Sequence, residues 1–552
     1  MLTPQQITAL RDRVGQITDP IVEYLVSDIA ERVSEAGQIT STAAYQAWTA
    51  QKFGVSQKEL KQELKKRLNL SSAEINQLFE LAAQTGYAND IKRLGEDGAI
   101  PFEENTTLQQ ILDSSVKLAD ENFNNITQTI GFVGPDGRFA ELTEAYQKTC
   151  DFAFEKVATG AQDYNSAVRD ATRELAKRGI RVMDYESGVH TSMEAAVQRN
   201  IMGGLGLMNE QITQRNHDDL GCDGWEISAH GGCAPDHEPI QGKQYSDEEY
   251  ARLNNSLVRR IGTLNCGHTA MPIILDVNEP QYTEEELEEF RQQNEEGVTY
   301  EGKHYTLYEA TQRQRKLETA VRNRKRRILI DEKLGDKDAL QNDQIRLQLL
   351  KQEYSRFSKA ADLPMQYERM EAAGFDWKKG KAAEEGADAY YGHWAKSIGA
   401  EKSIKTLADY YEMKYNNPGE FKLLKQYAKD VKTGWISPLS GFENYKKLYG
   451  RIQAEIVGKS AANGTVITGQ VAHFMQRVIG TAVDPEKLKK NLQIIRRSGV
   501  EFEDIKNAIF NPDEIGTVQV RKSGKRSVKL TGSKCVVTIN PDTGELIQTN
   551  PL

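Results

Sequence analysis

The chain has 552 residues, 38% hydrophobic and 27% charged, with a net charge of −9 and a mean hydropathy of −0.62. It is too long for one core and calls for three or four units, and its apolar residues recur at helical spacing too regularly for disorder. No run approaches the ~18 apolar residues of a membrane span, the start lacks the basic and apolar regions of a signal peptide, and five cysteines make no disulfide framework, so a soluble protein of a reducing compartment is expected.

Charge is unevenly spread. From Val431 onward 18 Lys and Arg stand against 11 Asp and Glu, a net of +7, which leaves −16 on the rest. A basic end on an acidic body suggests that the end meets a polyanion and the body meets protein.

Residues 1–100 read as a helical unit. Ile21, Leu25, Ile29 and Val33 share one helix face and Gly37 ends that helix. Gly54, Gly86 and Gly95 punctuate, and Ser71 with Glu74 has the spacing of a capping box opening a new helix. From Pro101 further helices follow, interrupted by a turn at Gly134–Gly137. Residues 179–184 read as a short strand leading into a helix from Thr191 to Met202, which Gly203, Gly204 and Gly206 break or kink. Those glycines have no following Lys-Ser/Thr and no preceding strand, so they are not a phosphate loop.

Chemistry concentrates between Tyr185 and Leu275, in a unit taken as 101–280. Three of five cysteines and five of eight histidines lie there, on loops that glycine and proline keep from being helical. Ser228, Ala229, His230, Gly232, Pro235 and His237 form S-A-H-x-G-x-x-P-x-H. Gln241-Gly-Lys243 follows, and then Gly262, Asn265, Cys266 and His268 form G-x-x-N-C-x-H. His230, Cys233, His237, Cys266 and His268 have spacings that could converge on one ion, and mixed sulfur and imidazole donors would select zinc. The other reading makes the histidines hydrogen-bonding posts that fix the loops. Nothing resembles H-E-x-x-H, so a metalloprotease is not supported.

Together these motifs, with Asp184–Gly188 upstream and the basic helix after Tyr308 downstream, resemble the phage minor capsid protein 2 (head morphogenesis) family over roughly residues 1–375. Gly267 departs from the arginine usual at that place, and Cys233 stands where the pattern has no cysteine. The resemblance implies a virion protein of the head and portal region, assembled in the bacterial host cytoplasm. Its partners would be the portal and other capsid proteins, against which the N-terminal helices pack.

Residues 281–375 begin with a glutamate-rich helix at Thr283–Gln293 and continue as a long charged helical region from Tyr308 to about Met370. Leu317, Val321, Ile328 and Leu329 give only a thin apolar stripe. The basic run Arg313–Arg327 could touch packaged DNA, or pair with acids such as the glutamates between 284 and 289. Residues 376–459 form a helical linker region with no chemistry to name.

Residues 460–552 change period. A helix over Gly469–Val478 places His473 and Arg477 on one face, a second helix near Glu503–Phe510 stops at Asn511-Pro512, and alternating strands follow to Thr549. The fold class is therefore mainly α, with a loop-rich α+β middle segment and a small C-terminal α+β unit in which helices precede an antiparallel meander. This last unit resembles the phage-borne barnase–EndoU–colicin–RelE-like nucleases, which implies a toxin tail that cleaves RNA without metal. His473 would be base or acid, Arg477 would hold the phosphate, Lys525 would add charge, and Thr549 would position the scissile group. The other reading is a non-catalytic nucleic-acid- or capsid-binding domain.

Overall fold

A computed structural model describes the chain apart from residues 1, 18, 40, 95–99, 129, 134–137, 160, 163–165, 168–169, 171–180, 184–189, 220, 259, 263–266, 482–496 and 521–525. The expected turns at 134–137 and 523–524, the segment 184–188, Cys266 and Lys525 lie outside the described residues. The chain divides into two compact units, Met1–Gly380 and Lys381–Leu552.

The first unit opens with helices α1 (Pro4–Ile17), α2 (Asp19–Gly37), α3 (Thr42–Leu94) and α4 (Thr106–Gln128). Ile21, Leu25 and Val33 are fully buried, as the spacing on α2 requires. Two sequence expectations fail here. The helix runs through Gly54, Ser71 and Gly86 without a break, because its apolar face at Ile75, Leu78, Phe79 and Ala82 is buried and packing outweighs the local glycine cost. Ser71 caps nothing; it is buried mid-helix and its hydroxyl donates to the carbonyl of Ile17 at 3.3 Å.

Strands β1 (Ile130–Val133) and β2 (Phe139–Glu141), helix α5 (Leu142–Ala158), and strands β3 (Arg181–Met183) and β4 (His190–Ser192) follow. They make an antiparallel sheet in the order β2-β1-β3-β4. Helix α6 (Met193–Asp219) is continuous through the glycine cluster. The glycines make room rather than a break: a Cβ on Gly204 would lie 3.0 Å from the Phe79 ring, so its absence lets α6 approach α3.

Next comes the small antiparallel sheet β6-β5-β7, from β5 (Gly224–Ile227), β6 (Gln244–Ser246) and β7 (Ala270–Ile273). Ser246 and Glu249 form a full capping box at the start of α7 (Asp247–Ser256). Thr283 and Glu286 do the same for α8 (Glu284–Glu296). A hairpin missed in the sequence, β8 (Val298–Tyr300) and β9 (Lys303–Tyr305), turns at Glu301 and Gly302, both with positive φ.

The charged region is a pair of helices, α9 (Leu307–Leu334) and α10 (Lys337–Ala360), separated by left-handed Gly335 and capped by Asp336. Four of its basic residues form ion pairs inside the unit. Arg324 and Arg327 meet Asp343 at 2.6 and 2.9 Å, Arg313 meets Glu353, and Arg326 meets Asp19. The acids are thus on α10 and α2, in place of the expected glutamates at 284–289, because the thin apolar stripe leaves charge to fill the α9–α10 contact.

Helix α11 (Trp377–Ile398) begins in the last residues of the first unit, and the second unit continues with α12 (Leu407–Asn416), α13 (Pro418–Lys432) and α14 (Phe442–Glu455). After these come β10 (Gly469–Gln470), α15 (Ala472–Ile479), the pair β11 (Gly480–Thr481) and β12 (Arg497–Ser498), and α16 (Phe502–Phe510). It closes with β13 (Glu514–Ile515), β14 (Gln519–Val520), β15 (Arg526–Thr531), β16 (Cys535–Ile539) and β17 (Glu545–Pro551). The sheet order is β10-β17-β16-β15-β13, with β14 on β15. Every pair in it is antiparallel except β10 with β17. Helix α15 starts three residues later than its sequence suggested, because Gly469 and Gln470 pair with Glu545 and Leu546. Cys535, Val537 and Ile539 alternate inward and pack with Phe502, Ile505 and Ile509 of α16 in one buried core. Residues on both sides of position 460, from Ala395 to Leu546, share that core.

Candidate functional site

Two groups of side chains carry chemistry, one in each unit. In the first unit the loop after β5 returns on itself, with Gly242 N–H donating to the Ile227 carbonyl and Ser228 N–H to the Thr269 carbonyl, both at 2.8 Å. This fold-back brings His230, His237 and His268 together. Buried Gln241 is the pivot: its Oε1 accepts the His230 backbone N–H at 3.1 Å and faces His268 Nε2 at 2.9 Å. An amide oxygen only accepts, so His268 carries its hydrogen on Nε2 and turns a lone pair at Nδ1 toward His237 Nδ1, 3.3 Å away. His230 stacks on His268 with centroids 4.5 Å apart, and its own Nδ1 reaches the Gly231 carbonyl. Burial first, then the adjoining His230 and His237, push His268 down to about 2, so it stays neutral at working pH.

Gly267, the departure from the family pattern, is explained by this packing, since a Cβ there would stand 2.9 Å from His230 Nε2. Cys233 is buried in the same loop. Among the described residues no group of three or more His, Cys, Asp or Glu is arranged around an ion position, and Cys266 is not among them. A neighbouring histidine, which stands apart from the cysteines in the sequence, was given no role there. His217 lies buried at the end of α6, stacked on Trp225 at 4.8 Å, with Nδ1 3.1 Å from Asp218 and Nε2 2.9 Å from Asp247. It ties α6 to the start of α7.

In the second unit, helix α15 brings His473 and Arg477 into contact. Arg477 Nε donates to His473 Nε2 at 3.3 Å, and both residues are half-buried. His473 Nδ1 lies 3.0 Å from Gln476 Oε1, and the Trp435 ring stands perpendicular to the imidazole with centroids 5.8 Å apart. Behind Gln476 is Asp430 of α13, 2% exposed, whose Oδ1 accepts from Gln476 Nε2 at 2.9 Å and Gln426 Nε2 at 3.0 Å. Burial raises the Asp430 carboxyl above its usual range, against the two amide donors and the Lys429 and His473 charges.

The other two residues named for this site sit differently. Thr549 is fully buried on β17 and its hydroxyl donates to the Val536 carbonyl at 3.2 Å, a contact that holds strand register. With no exposed surface it offers nothing to a phosphate. Lys525 is outside the described residues, and its neighbour Arg526 is paired with Asp542 at 2.8 Å. Gln476 and Asp430 were missed. Gln476 was within reach of inspection, three residues from His473 on one helix, whereas Asp430 is 46 residues away from Gln476 and only the fold brings it in.

The family model for phage minor capsid protein 2 matches residues 2–358. No curated protein and no solved structure matches the chain. Among the described residues no helix is long and apolar enough to cross a membrane. The matched span takes in the folded-back histidine loops and nearly all of α9 and α10, and the chain belongs to the phage minor capsid protein 2 family.

Proposed function

We propose that this minor capsid protein works at the portal region of the head during head morphogenesis, and that its C-terminal unit is a metal-free ribonuclease. The family match and the acidic charge of residues before Val431 support contact with other head proteins. Mass spectrometry of intact particles should find the chain, and its absence would refute the head role.

The His473–Arg477 contact carries the second part. Internal cleavage of RNA needs a base for the 2′-hydroxyl and a cation for the phosphorane charge. His473 takes the 2′ proton while Arg477 holds the phosphate. The 2′ oxygen then displaces the 5′ oxygen, which leaves with a proton from water, and a cyclic phosphate remains. The +7 charge from Val431 onward supplies general RNA affinity that falls steeply with salt. Cleavage of single-stranded RNA by the full chain should persist in chelator, and His473→Ala should slow it roughly 10²–10⁴-fold. Equal rates would remove His473 as base, and no cleavage by either protein would favour a binding-only unit.

A separate observation favours structural zinc in the first unit. Two imidazole nitrogens bound to one tetrahedral zinc at ~2.0–2.1 Å stand about 3.3 Å apart, the separation of His237 Nδ1 and His268 Nδ1. Gln241 on the far nitrogen of His268 is the kind of partner that orients a ligating imidazole. Cys233 and Cys266 are the thiolates that the sequence supplies beside them. His230, turned to the Gly231 carbonyl, would pack against the site rather than bind. Elemental analysis of protein purified without added metal should give about one zinc per chain. A value near zero, with melting unchanged by chelator, leaves the histidines as hydrogen-bonding posts.

A further inference from the structure

We propose that Gln476 and Asp430 are positioning residues that lock His473 in the Nδ1–H tautomer, so that Nε2 carries the lone pair. The assignment follows from donor and acceptor inventory alone. Asp430 Oδ1 lies 2.9 Å from Gln476, and it accepts there, so the amide turns its NH2 toward Asp430. The amide oxygen is then the atom that faces His473 Nδ1 at 3.0 Å. A carbonyl oxygen has no hydrogen to give, so the hydrogen between them belongs to Nδ1.

The other side of the ring leads independently to the same tautomer. A guanidinium has donors and no acceptor, and Arg477 Nε stands 3.3 Å from His473 Nε2. That contact is attractive only if Nε2 bears a lone pair. Gln426, donating to the same Asp430 oxygen at 3.0 Å, fixes the carboxyl in turn. Asp430 and Gln476 are 2% and 7% exposed, so water does not compete for these bonds. The Trp435 ring packs perpendicular to the imidazole.

The consequence deepens the ribonuclease reading and rests on it: the basic nitrogen is Nε2, whose single lone pair takes the Arg477 Nε–H in the free protein and opens to the 2′-hydroxyl once the guanidinium turns to the phosphate it holds. Which nitrogen of a histidine is protonated is set by the partner of the other one. Here the Nδ1 partner is an uncharged amide, and the charge that touches the ring is the Arg477 guanidinium at Nε2. Asp430 touches neither His473 nor any position open to RNA; it acts through Gln476.

The test uses the full chain with ring-15N-labelled histidine, at a pH where His473 is neutral, its signals assigned by their loss in His473→Ala. Wild type should show a protonated Nδ1 and a bare Nε2. Because Arg477 alone would also favour Nδ1–H, Gln476→Leu is made beside Arg477→Leu. Arg477→Leu alone should keep the Nδ1–H form, and the double variant, which lacks both partners, should move toward the Nε2–H form that free histidine favours. Gln476→Glu keeps an acceptor and should keep the wild-type pattern, while unchanged signals from the other histidines show that each variant is folded. Asp430→Asn frees the amide to turn over and should give both tautomers. An Nε2–H signal in wild type or in Arg477→Leu, or a Gln476→Leu/Arg477→Leu protein that keeps Nδ1–H, would overturn the proposal. RNA cleavage should fall about 10–100-fold in Gln476→Leu, as when partners that orient a functional imidazole are lost. If wild type shows the Nδ1–H tautomer and cleaves no RNA, the enzymatic reading fails while the positioning chain stands.

Discussion

Removing the Asp343 carboxylate should loosen the α9–α10 pair more than any other single charge change in the first unit's helical hairpin. Its side chain is 3% exposed and takes Arg324 at 2.6 Å and Arg327 at 2.9 Å, guanidinium groups that are themselves 16% and 28% exposed. Burial presses the Arg324 guanidinium down and the Asp343 charge holds it up, so the two effects oppose each other in the intact pair. Asp343→Ala keeps the burial and deletes the compensation for two cations. Breaking a buried pair this way costs about 3–5 kcal/mol, and each ~1.4 kcal/mol is tenfold in an opening equilibrium. Hydrogen exchange of α9 and α10 peptides in the full chain should therefore quicken by roughly two to nearly four orders of magnitude. Glu288→Ala is the control, since its partner Arg291 is exposed and solvent screens the pair. If Asp343→Ala exchanges like Glu288→Ala, the basic run is not held by internal pairing, and a polyanion outside the chain becomes its better explanation.

Adjacent glycines in α6 should respond in opposite directions. Gly203 has open space at its Cβ position, so Gly203→Ala should stabilise by ~0.5–1 kcal/mol through helix propensity. Gly204→Leu meets the Phe79 ring and should cost ~1–3 kcal/mol by overpacking; like signs in urea denaturation would refute the close α3–α6 approach. Thiol labelling at mildly alkaline pH should modify Cys222, which is partly exposed, before Cys150 and Cys535. Burial raises both of those thiols, Cys150 to about 12, and they should react only on unfolding. The Asp430 carboxyl is raised in the folded state, so the unfolded chain loses that proton first as pH rises. Its contribution to stability is present below the ordinary carboxyl range and is lost through the raised one. Asp430→Asn should thus gain on wild type in denaturant titrations as pH rises above the ordinary carboxyl range, and a loss would contradict the shift.

Much of the architecture was legible where period and burial agree. The α2 face at Ile21, Leu25 and Val33 and the inward alternation at Val528 and Leu530 of β15 and Val537 and Ile539 of β16 both follow from one buried side per element. The break between α9 and α10 was passed over in the sequence, where the region reads as one long helical stretch, although left-handed Gly335 and the N-cap Asp336 mark it. Legibility failed where local grammar and tertiary packing diverge. Ser71 and Glu74 spell a capping box, yet Ile75, Leu78 and Phe79 bury the helix around them and no end forms. Gly203 and Gly204 spell a break, yet one of them is there to admit Phe79. The site was half legible for the same reason: His473 and Arg477 are one helical turn apart, while Asp430 reaches them only through the packing of α13 on α15.

The most direct measurement is RNA cleavage by disrupted phage particles built with His473→Ala beside particles built with the wild-type chain. A head protein carrying an RNA-cleaving unit predicts equal particle yield and equal incorporation of both chains, with RNA cleavage present in wild type and reduced roughly 10²–10⁴-fold in the variant. Particles that fail to assemble with His473→Ala, or wild-type particles that contain the chain and cleave no RNA, would contradict it.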